Sequence, residues 1–414
     1  MKFFRPRHAP QPAPAAGTLH SCNGMVSYSP DHLHAPTLFE NIPVVPVTSE
    51  ERMVLTGGPV WPEWAQAGEL RHQRSGVPVD KQPQYDPGTL QPFDKPALWG
   101  GHIVNHFGHF LAEHSTRLLC AARARPDLTI LLTLPPDKTP EQVPAFVWQV
   151  LKWYGIEATR IHFVTNPLKV RQLWAIPMAE QWAHVPPSGA YLDLLDDTAN
   201  RNGLTNPPTE IVYVARDGFE QSAEGHNAGE SYLTALLPKL GVSVLRPETM
   251  KLKAQLACYQ KAHTLIFAEG SAMHGRQLLG RINQHVAVLN RRPRSRIALS
   301  ALQPRCRQLS YVETTRGLAS VVWPNGNPWL VRAISLYDPD VLLRSFAALG
   351  VPLQDVWDPV AFEHAQEQAI RTWIALRFEP RQPIDHTASR RRVTRELSQF
   401  GLDHLAKEIP GTPP

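Results

Sequence analysis

The sequence predicts an α/β protein organised as two domains with a helical segment after them. Three observations carry the prediction. At 414 residues the chain exceeds what one hydrophobic core usually organises. From 211 to 289 short apolar runs alternate with helical patterns across short crossovers, the rhythm of a doubly wound parallel sheet. A looser βαβ rhythm runs from 129 to 176, so the first half reads as α/β as well. The expected divisions are a disordered tail over 1–20, an N-terminal α/β domain over 21–200, a C-terminal α/β domain over 201–335 and a helical segment over 336–414.

Residues 1–20 are rich in Pro and Ala and cannot bury a core. From Ser21 to Pro96, short apolar pieces such as Thr37–Phe39, Val44–Val45 and Met53–Leu55 alternate with Pro, Gly and Asn, which predicts short strands and loops. The stretch 99–126 opens on a Gly-Gly turn and becomes helical, with Phe107, Phe110, Leu111, Leu118 and Leu119 on one face and Asn105 as N-cap. A strand over Thr129–Leu134 follows, then a helix from Pro140 to Tyr154 stopped by Gly155, then strands over Ile161–Val164 and Val170–Ile176. Residues 178–208 read as a loop-rich connection.

In the second half Ile211–Arg216 reads as a strand. Asn227 and Glu230 resemble a capping box opening a helix that stops at Gly241, with Pro238 shortening it. Val242–Leu245 is a strand. Thr249 is the expected cap of a helix carrying Leu252, Leu256 and Tyr259 on one face. Leu265–Ala268 form a buried strand that turns through Glu269, Gly270 and Ser271 into a helix starting near Ala272 and running through Leu279. His285–Leu289 is the next strand. Pro324–Asn327 marks a turn inside 308–336, residues 338–378 read as helical, and the basic run 380–396 reads as exposed.

The totals exclude several classes. Apolar residues make up 43%, enough for full cores, and no apolar run approaches the roughly 20 residues of a membrane helix. The opening MKFFRPRHAP is basic without an apolar core region, so no secretory leader is expected. Cys22, Cys120, Cys258 and Cys306 are widely spaced and show no metal-type spacing, which suggests a reducing compartment. A net charge of +5 permits an anionic ligand or an acidic membrane surface without demanding either.

Four constellations carry chemistry. Asn105, His106, His109, Glu113 and His114 cluster at a helix start. His109 and Glu113, four apart, share a face, and an imidazole held by a carboxylate suits a general base. A surface polar face is the plainer reading. A metal site on His102, His106, His109 and Glu113 is a rival that the Asn105 cap argues against, because it leaves His102 outside the helix. Arg216 and Asp217 end a strand, where Arg can fork onto phosphate or simply pair with the acid. Glu269, Gly270, Ser271, Ala272 and His274 form a strand-to-helix turn, whose first N–H groups suit a diphosphate. Glu269 cannot favourably touch a phosphate and would instead meet sugar or ribose hydroxyls. Arg291, Arg292, Arg294 and Arg296 form a basic loop, either solvated or facing an anionic lipid carrier.

There is no G-x-G-x-x-G after a strand, no Walker A motif, and no DxD at a ligand-facing strand end, since Asp193, Asp196 and Asp197 fall in the connection. Any diphosphate would have to be neutralised by arginine and helix N-termini.

Three segments carry a resemblance: NHFGHFLAEHSTRLL at 105–119, IVYVARDGF at 211–219, and the run NAGESYLTALL…TLIFAEGSAMHG at 227–275. They resemble the family 61 glycosyltransferases, in the bacterial branch of capsular-polysaccharide biosynthesis proteins. The resemblance spans about 100–280. It implies a GT-B fold, two Rossmann-like domains facing across a cleft, with the acceptor-side domain over 21–200 and the nucleotide-sugar-binding domain over 201–335. It implies inverting, metal-independent transfer to a glycan or lipid-linked acceptor, with no cofactor and no nucleic acid. The expected place is the cytoplasm, with room for peripheral association at the inner face of the membrane. His109, Glu113 and His106 would be catalytic, and Asn105 and His114 acceptor-side. Arg216, Glu269, Gly270, Ser271, Ala272 and His274 would bind the donor. One departure is visible: many relatives carry His-Gly-Ala-Gly in that turn, where this chain reads Glu269-Gly270-Ser271-Ala272-Met273-His274. The alternatives are a non-catalytic nucleotide- or glycan-binding subunit and a His-rich metallohydrolase.

Overall fold

The structure, a computed structural model, describes residues 20–21, 33–49, 54–182, 184–205, 207–222 and 224–411. The tail expected over 1–20 lies outside them except for His20, as do Cys22 and Met53. Among the described residues two large sheets and a smaller three-stranded one organise the chain.

The second half is the more regular. Its large sheet runs in the order Cys306–Val312, Ile282–Leu289, Ala262–Ala268, Glu210–Val214, Val242–Leu245, all parallel, with His20–Ser21 added antiparallel at one edge. Counted along the chain from Glu210–Val214, the parallel strands lie in the order 5-4-3-1-2. That order has a switch point between the first and third strands, where successive crossovers leave in opposite directions and open a crevice at the carboxyl ends. Ala215–Arg216 and Glu269–Ser271 are the residues that leave those two strands.

The first half is mixed. Ala97–His102, Thr129–Thr133 and Ile161–Val164 pair in parallel, and Leu168–Ala175 joins Ala97–His102 on the other side. Thr37–Ser49 and Leu55–Pro59 extend the sheet antiparallel. The separate short pieces expected near 37–45 are one strand of 13 residues, because pairing with Leu168–Ala175 carries it through Pro43.

One buried apolar cluster runs from the first sheet to the second. Leu98, Ile130 and Leu132 belong to it, and so do Val212, Leu265, Phe267 and Val286. Between them lies a helix over Gly189–Arg201 where the sequence predicts a loop. Ser188 caps it, accepting from the Tyr191 N–H at 3.1 Å, and Tyr191, Leu192, Leu195 and Ala199 face the cluster. Beside it the Arg305 guanidinium forks onto Glu180 at 2.7 and 2.9 Å, both side chains buried.

Three other expectations change. Asn227 does not open a capping box: His226–Ala228 is a strand in a small sheet with Ile334–Tyr337 and Thr315–Ala319, and the helix Glu230–Leu236 begins after Gly229 in the left-handed region. The expected Thr249 cap belongs to a separate 3-10 turn, Pro247–Thr249, and the helix Leu252–Lys261 starts from Lys251 without a side-chain cap. The basic run near 390 is not simply solvated. It forms the helix His386–Gln399, which buries Val393 and Leu397 against Ile370 and Trp373 of the helix Pro359–Arg377. No helix among the described residues is long and apolar enough to cross a membrane.

Candidate functional site

After the strand Ala97–His102 the chain enters the short helix Phe107–His109. Its cap is His106, not Asn105: His106 Nδ1 accepts from the His109 N–H at 3.2 Å. The next turn, Phe110–His114, is a π-turn, in which the Ser115 N–H reaches back five residues to Phe110 O at 2.7 Å. Within this turn His109 Nδ1 bonds to Glu113 Oε1. The other oxygen accepts from His72 Nε2 and Arg74 Nε, each at 2.7 Å. Both partners come from a small hairpin, Gln73–Arg74 with Val77–Pro78, and the residue before it. Sequence reasoning missed them, since nothing local marks a hairpin as the partner of a helix some 40 residues on.

These bonds fix the roles of the pair. Burial would raise the Glu113 carboxyl, but the hydrogen bonds from His109 and His72 outweigh it and hold the group well below the usual carboxylate range. An ionised carboxylate only accepts, so His109 Nδ1 carries the proton that faces it. The Glu113 side chain has no exposed surface, whereas that of His109 is 25% exposed. Of the two, only His109 can meet a substrate.

His114 does not fit the acceptor-side place expected for it. It is buried, its ring stacks on His72 at 4.5 Å, and it faces a cavity of about 10 Å³ behind the dyad rather than the cleft. The metal face expected as a rival also breaks up, because His102 lies buried at its strand end, bonded to Thr133, while His106 is exposed. Among the described residues His72, Glu113 and His114 bring ligand atoms within 4.8 Å of one another. Arg74 already neutralises Glu113 there, and Arg117 lines the same small cavity, so the charge a metal would supply is in place.

The second half contributes the turn after Ala262–Ala268. It enters a 3-10 helix, Ser271–Leu278, not the α-helix expected. The buried Arg276 holds its far end, bonding to Gln284 Oε1 at 2.7 Å, Gly280 O at 2.9 Å and Arg305 O at 2.8 Å. Glu269 is not a donor ligand. It is fully buried, one oxygen accepting from the N–H groups of Arg291 and Arg292 at 2.9 Å and the other from the Arg292 side chain and Ser295. Its acceptor capacity is filled by the loop after the strand Ile282–Leu289. Those bonds also account for the basic loop: Arg291 is buried, Arg292 pairs with Glu269 and Arg296 with Glu313.

Arg216 does not pair with Asp217, which is taken by Arg246 and Thr234. The Arg216 guanidinium instead lies over the Phe219 ring at 4.7 Å and donates to Gly225 O at 2.7 Å, while its Nε is buried with no partner. His274 is buried, and its Nδ1 pairs with Gln277 Oε1 at 2.7 Å. Burial lowers its pKa to about 4, against the Gln277 bond. Its ring packs on Gly108, where a Cβ would come within 3.0 Å. That close approach joins the helix of the first half to the turn of the second.

The two halves enclose a cleft of about 590 Å³. Asn105 and His106 line one side, and Arg216, Ser271 and Ala272 the other. Phe146, Phe219, Glu248 and Met250 are among the other residues that line it and were not foreseen. A second cavity, of about 470 Å³, lies against Trp182. The His109 ring is 4.6 Å from the ring of His106, which lines the first, and 6.1 Å from that of Trp182, which lines the second. Residues 107–276 match the family Glycosyltransferase 61. The matched segment contains the His109–Glu113 dyad, Arg216 and the 269–276 turn. The match supports glycosyltransferase activity, which implies a nucleotide-sugar donor and a glycan acceptor. No curated protein matches the chain.

Proposed function

We propose that this glycosyltransferase inverts configuration by a single displacement without a metal, in a GT-B arrangement, and builds a bacterial surface polysaccharide from the cytoplasmic side. The observation that carries the mechanistic reading is the position of His109. Its ring lies 4.6 Å from that of His106, which lines a cleft whose opposite wall presents Arg216 and the first N–H groups of a helix.

The nucleotide sugar occupies the cleft. Its diphosphate meets the Ser271 and Ala272 N–H groups, which have no acceptor within their own helix, and the Arg216 fork. Gly270 lets the guanidinium lie against the turn. Glu248, exposed on the wall, receives ribose hydroxyls in the place expected of Glu269. His109 Nε2 takes the proton of the acceptor hydroxyl as that oxygen attacks the anomeric carbon and the diphosphate leaves. Glu113 holds the imidazole in the right tautomer and stabilises its charged form, and His72 and Arg74 hold Glu113. Charge developing on the departing diphosphate is met by fixed positive groups, usually the largest catalytic term.

The test is nucleotide release from a panel of nucleotide sugars in the presence of a chelator. Turnover of one donor, lost in His109→Ala and Arg216→Ala, is expected and identifies the sugar. Turnover only after metal is restored would overturn the metal-independent mechanism. Binding to no nucleotide would overturn the placement of the donor.

A further inference from the structure

We propose that the cavity against Trp182 is the acceptor subsite and that it holds a neutral hexopyranosyl unit of a glycan; this rests on the donor occupying the cleft. The cavity measures about 470 Å³, within the range of about 300–1,000 Å³ typical of small-molecule sites. Trp182, Arg292, Arg296 and Ser300 line it, with Ile297 and Leu299 as apolar floor. It shares no lining residue with the donor cleft.

Position is the first argument. The Trp182 and His109 rings stand 6.1 Å apart and steeply inclined, at 61°. The Arg74 guanidinium is 5.9 Å from the Trp182 ring centre and also donates to Glu113. A sugar stacked on the indole is therefore a neighbour of the base, in a cavity that shares no wall residue with the donor cleft. Trp suits this task, because its broad apolar face covers the C–H face of a pyranose while its edge stays polar.

An unpaired group is the second. The Ser300 hydroxyl is buried in the cavity wall and has no hydrogen-bond partner. A buried hydroxyl left unpaired is costly, and a sugar hydroxyl would pair with it.

Charge decides the class. Arg292 is neutralised by Glu269, and Arg296 by Glu313 at 2.9 Å. Each guanidinium carries five N–H donors and keeps some for a ligand, but the paired carboxylates remove the net charge that would select a uronate or a phosphate. The wall thus offers an aromatic face and hydrogen-bond donors without an anion trap. Two wall residues, His184 and Ala298, sit in the left-handed region at φ 65° and 60°, strain of the kind that gathers at ligand sites.

The full chain can be titrated with lactose, cellobiose and maltose, with digalacturonate and inorganic pyrophosphate as anionic probes, and with UDP and GDP as probes of the cleft. At least one neutral disaccharide is expected to bind. Trp182→Ala and Ser300→Ala should each weaken it 10-fold or more, Trp182→Phe should restore it to within about 3-fold, and nucleotide affinity should stay unchanged throughout. Nucleotide binding without any neutral disaccharide binding would overturn the subsite and leave the donor cleft standing. So would disaccharide binding indifferent to both alanine variants, or tighter binding of the anionic probes. Failure of the unaltered protein to bind either nucleotide would overturn the donor placement, and the subsite with it.

Discussion

A Cβ atom on Gly270 would lie 2.2 Å from Nη1 of Arg216 and 2.9 Å from its Cζ. The backbone there is extended, so the glycine serves the guanidinium and not the chain direction. Gly270→Ala must push Arg216 out of its place over Phe219. The expected result is a nucleoside diphosphate Kd raised about 10-fold or more, roughly 1.4 kcal/mol, by isothermal titration. An unchanged Kd would remove Arg216 from the donor site.

Glu113→Gln keeps the shape of the dyad and removes its charge. A general base typically contributes about 10²–10⁴-fold, and loss of its oriented tautomer should lower kcat by the smaller of these figures. KM for the donor should barely move, because Glu113 faces away from the cleft. Glu113→Ala should in addition cost about 3–5 kcal/mol of stability, since His72 and Arg74 lose their shared partner. Equal kcat in the Glu113→Gln variant and the unaltered protein would show that the carboxylate does not tune His109.

Glu269 is predicted to act on stability and not on the donor. Replacing it with Ala strands the half-buried Arg292 and two N–H groups, a loss of about 3–5 kcal/mol measurable by urea unfolding. Nucleotide affinity measured on the protein that remains folded should stay within a few-fold. A stable variant that has lost nucleotide affinity would contradict the fully occupied carboxylate described above.

Acid should destabilise the fold in a defined window. Burial lowers His226 to about 4, against its hydrogen bond to Glu224, and burial likewise lowers His274 to about 4. A free histidine titrates near 6.5, so between about 6.5 and 4 the unfolded chain binds more protons than the folded one. Stability is thus fully present above 6.5 and falls as pH drops through 4, by about 3 kcal/mol for each group at most. Urea midpoints measured from pH 7.5 to 4 should decline, and His226→Gln should flatten the decline. A midpoint constant over that range would mean the two imidazoles are charged in the fold.

Much of the second half was legible because its signals are local. The strands at 211 and 265, the shortening at Pro238 and the stop at Gly241 follow from hydrophobic runs and backbone rules. The pairing of His109 with Glu113 was legible too, since four residues along a helix place two side chains together. What escaped detection depends on contacts distant in sequence. Glu269 reads as an exposed turn residue until the arginines after the strand Ile282–Leu289 fold onto it. His72, Arg74 and Trp182 carry no local mark of their shared neighbour. The helix Gly189–Arg201 was hidden because its acidic face, which binds Arg281 through Asp193 and Asp196, outweighs its apolar one. The turn from 271 escaped for a similar reason: the buried Arg276 at its far end is held by Arg305 O, 29 residues on.

The apolar cluster common to both sheets also sets an order of assembly. As the chain leaves the ribosome, Tyr191, Leu192 and Leu195 emerge well before Leu265, Phe267 and Val286, against which the same cluster closes. Glu180 likewise waits for Arg305, 125 residues later. The leading half therefore passes its synthesis with an open flank, and a nascent chain halted near residue 205 would be a client for chaperones rather than a finished module.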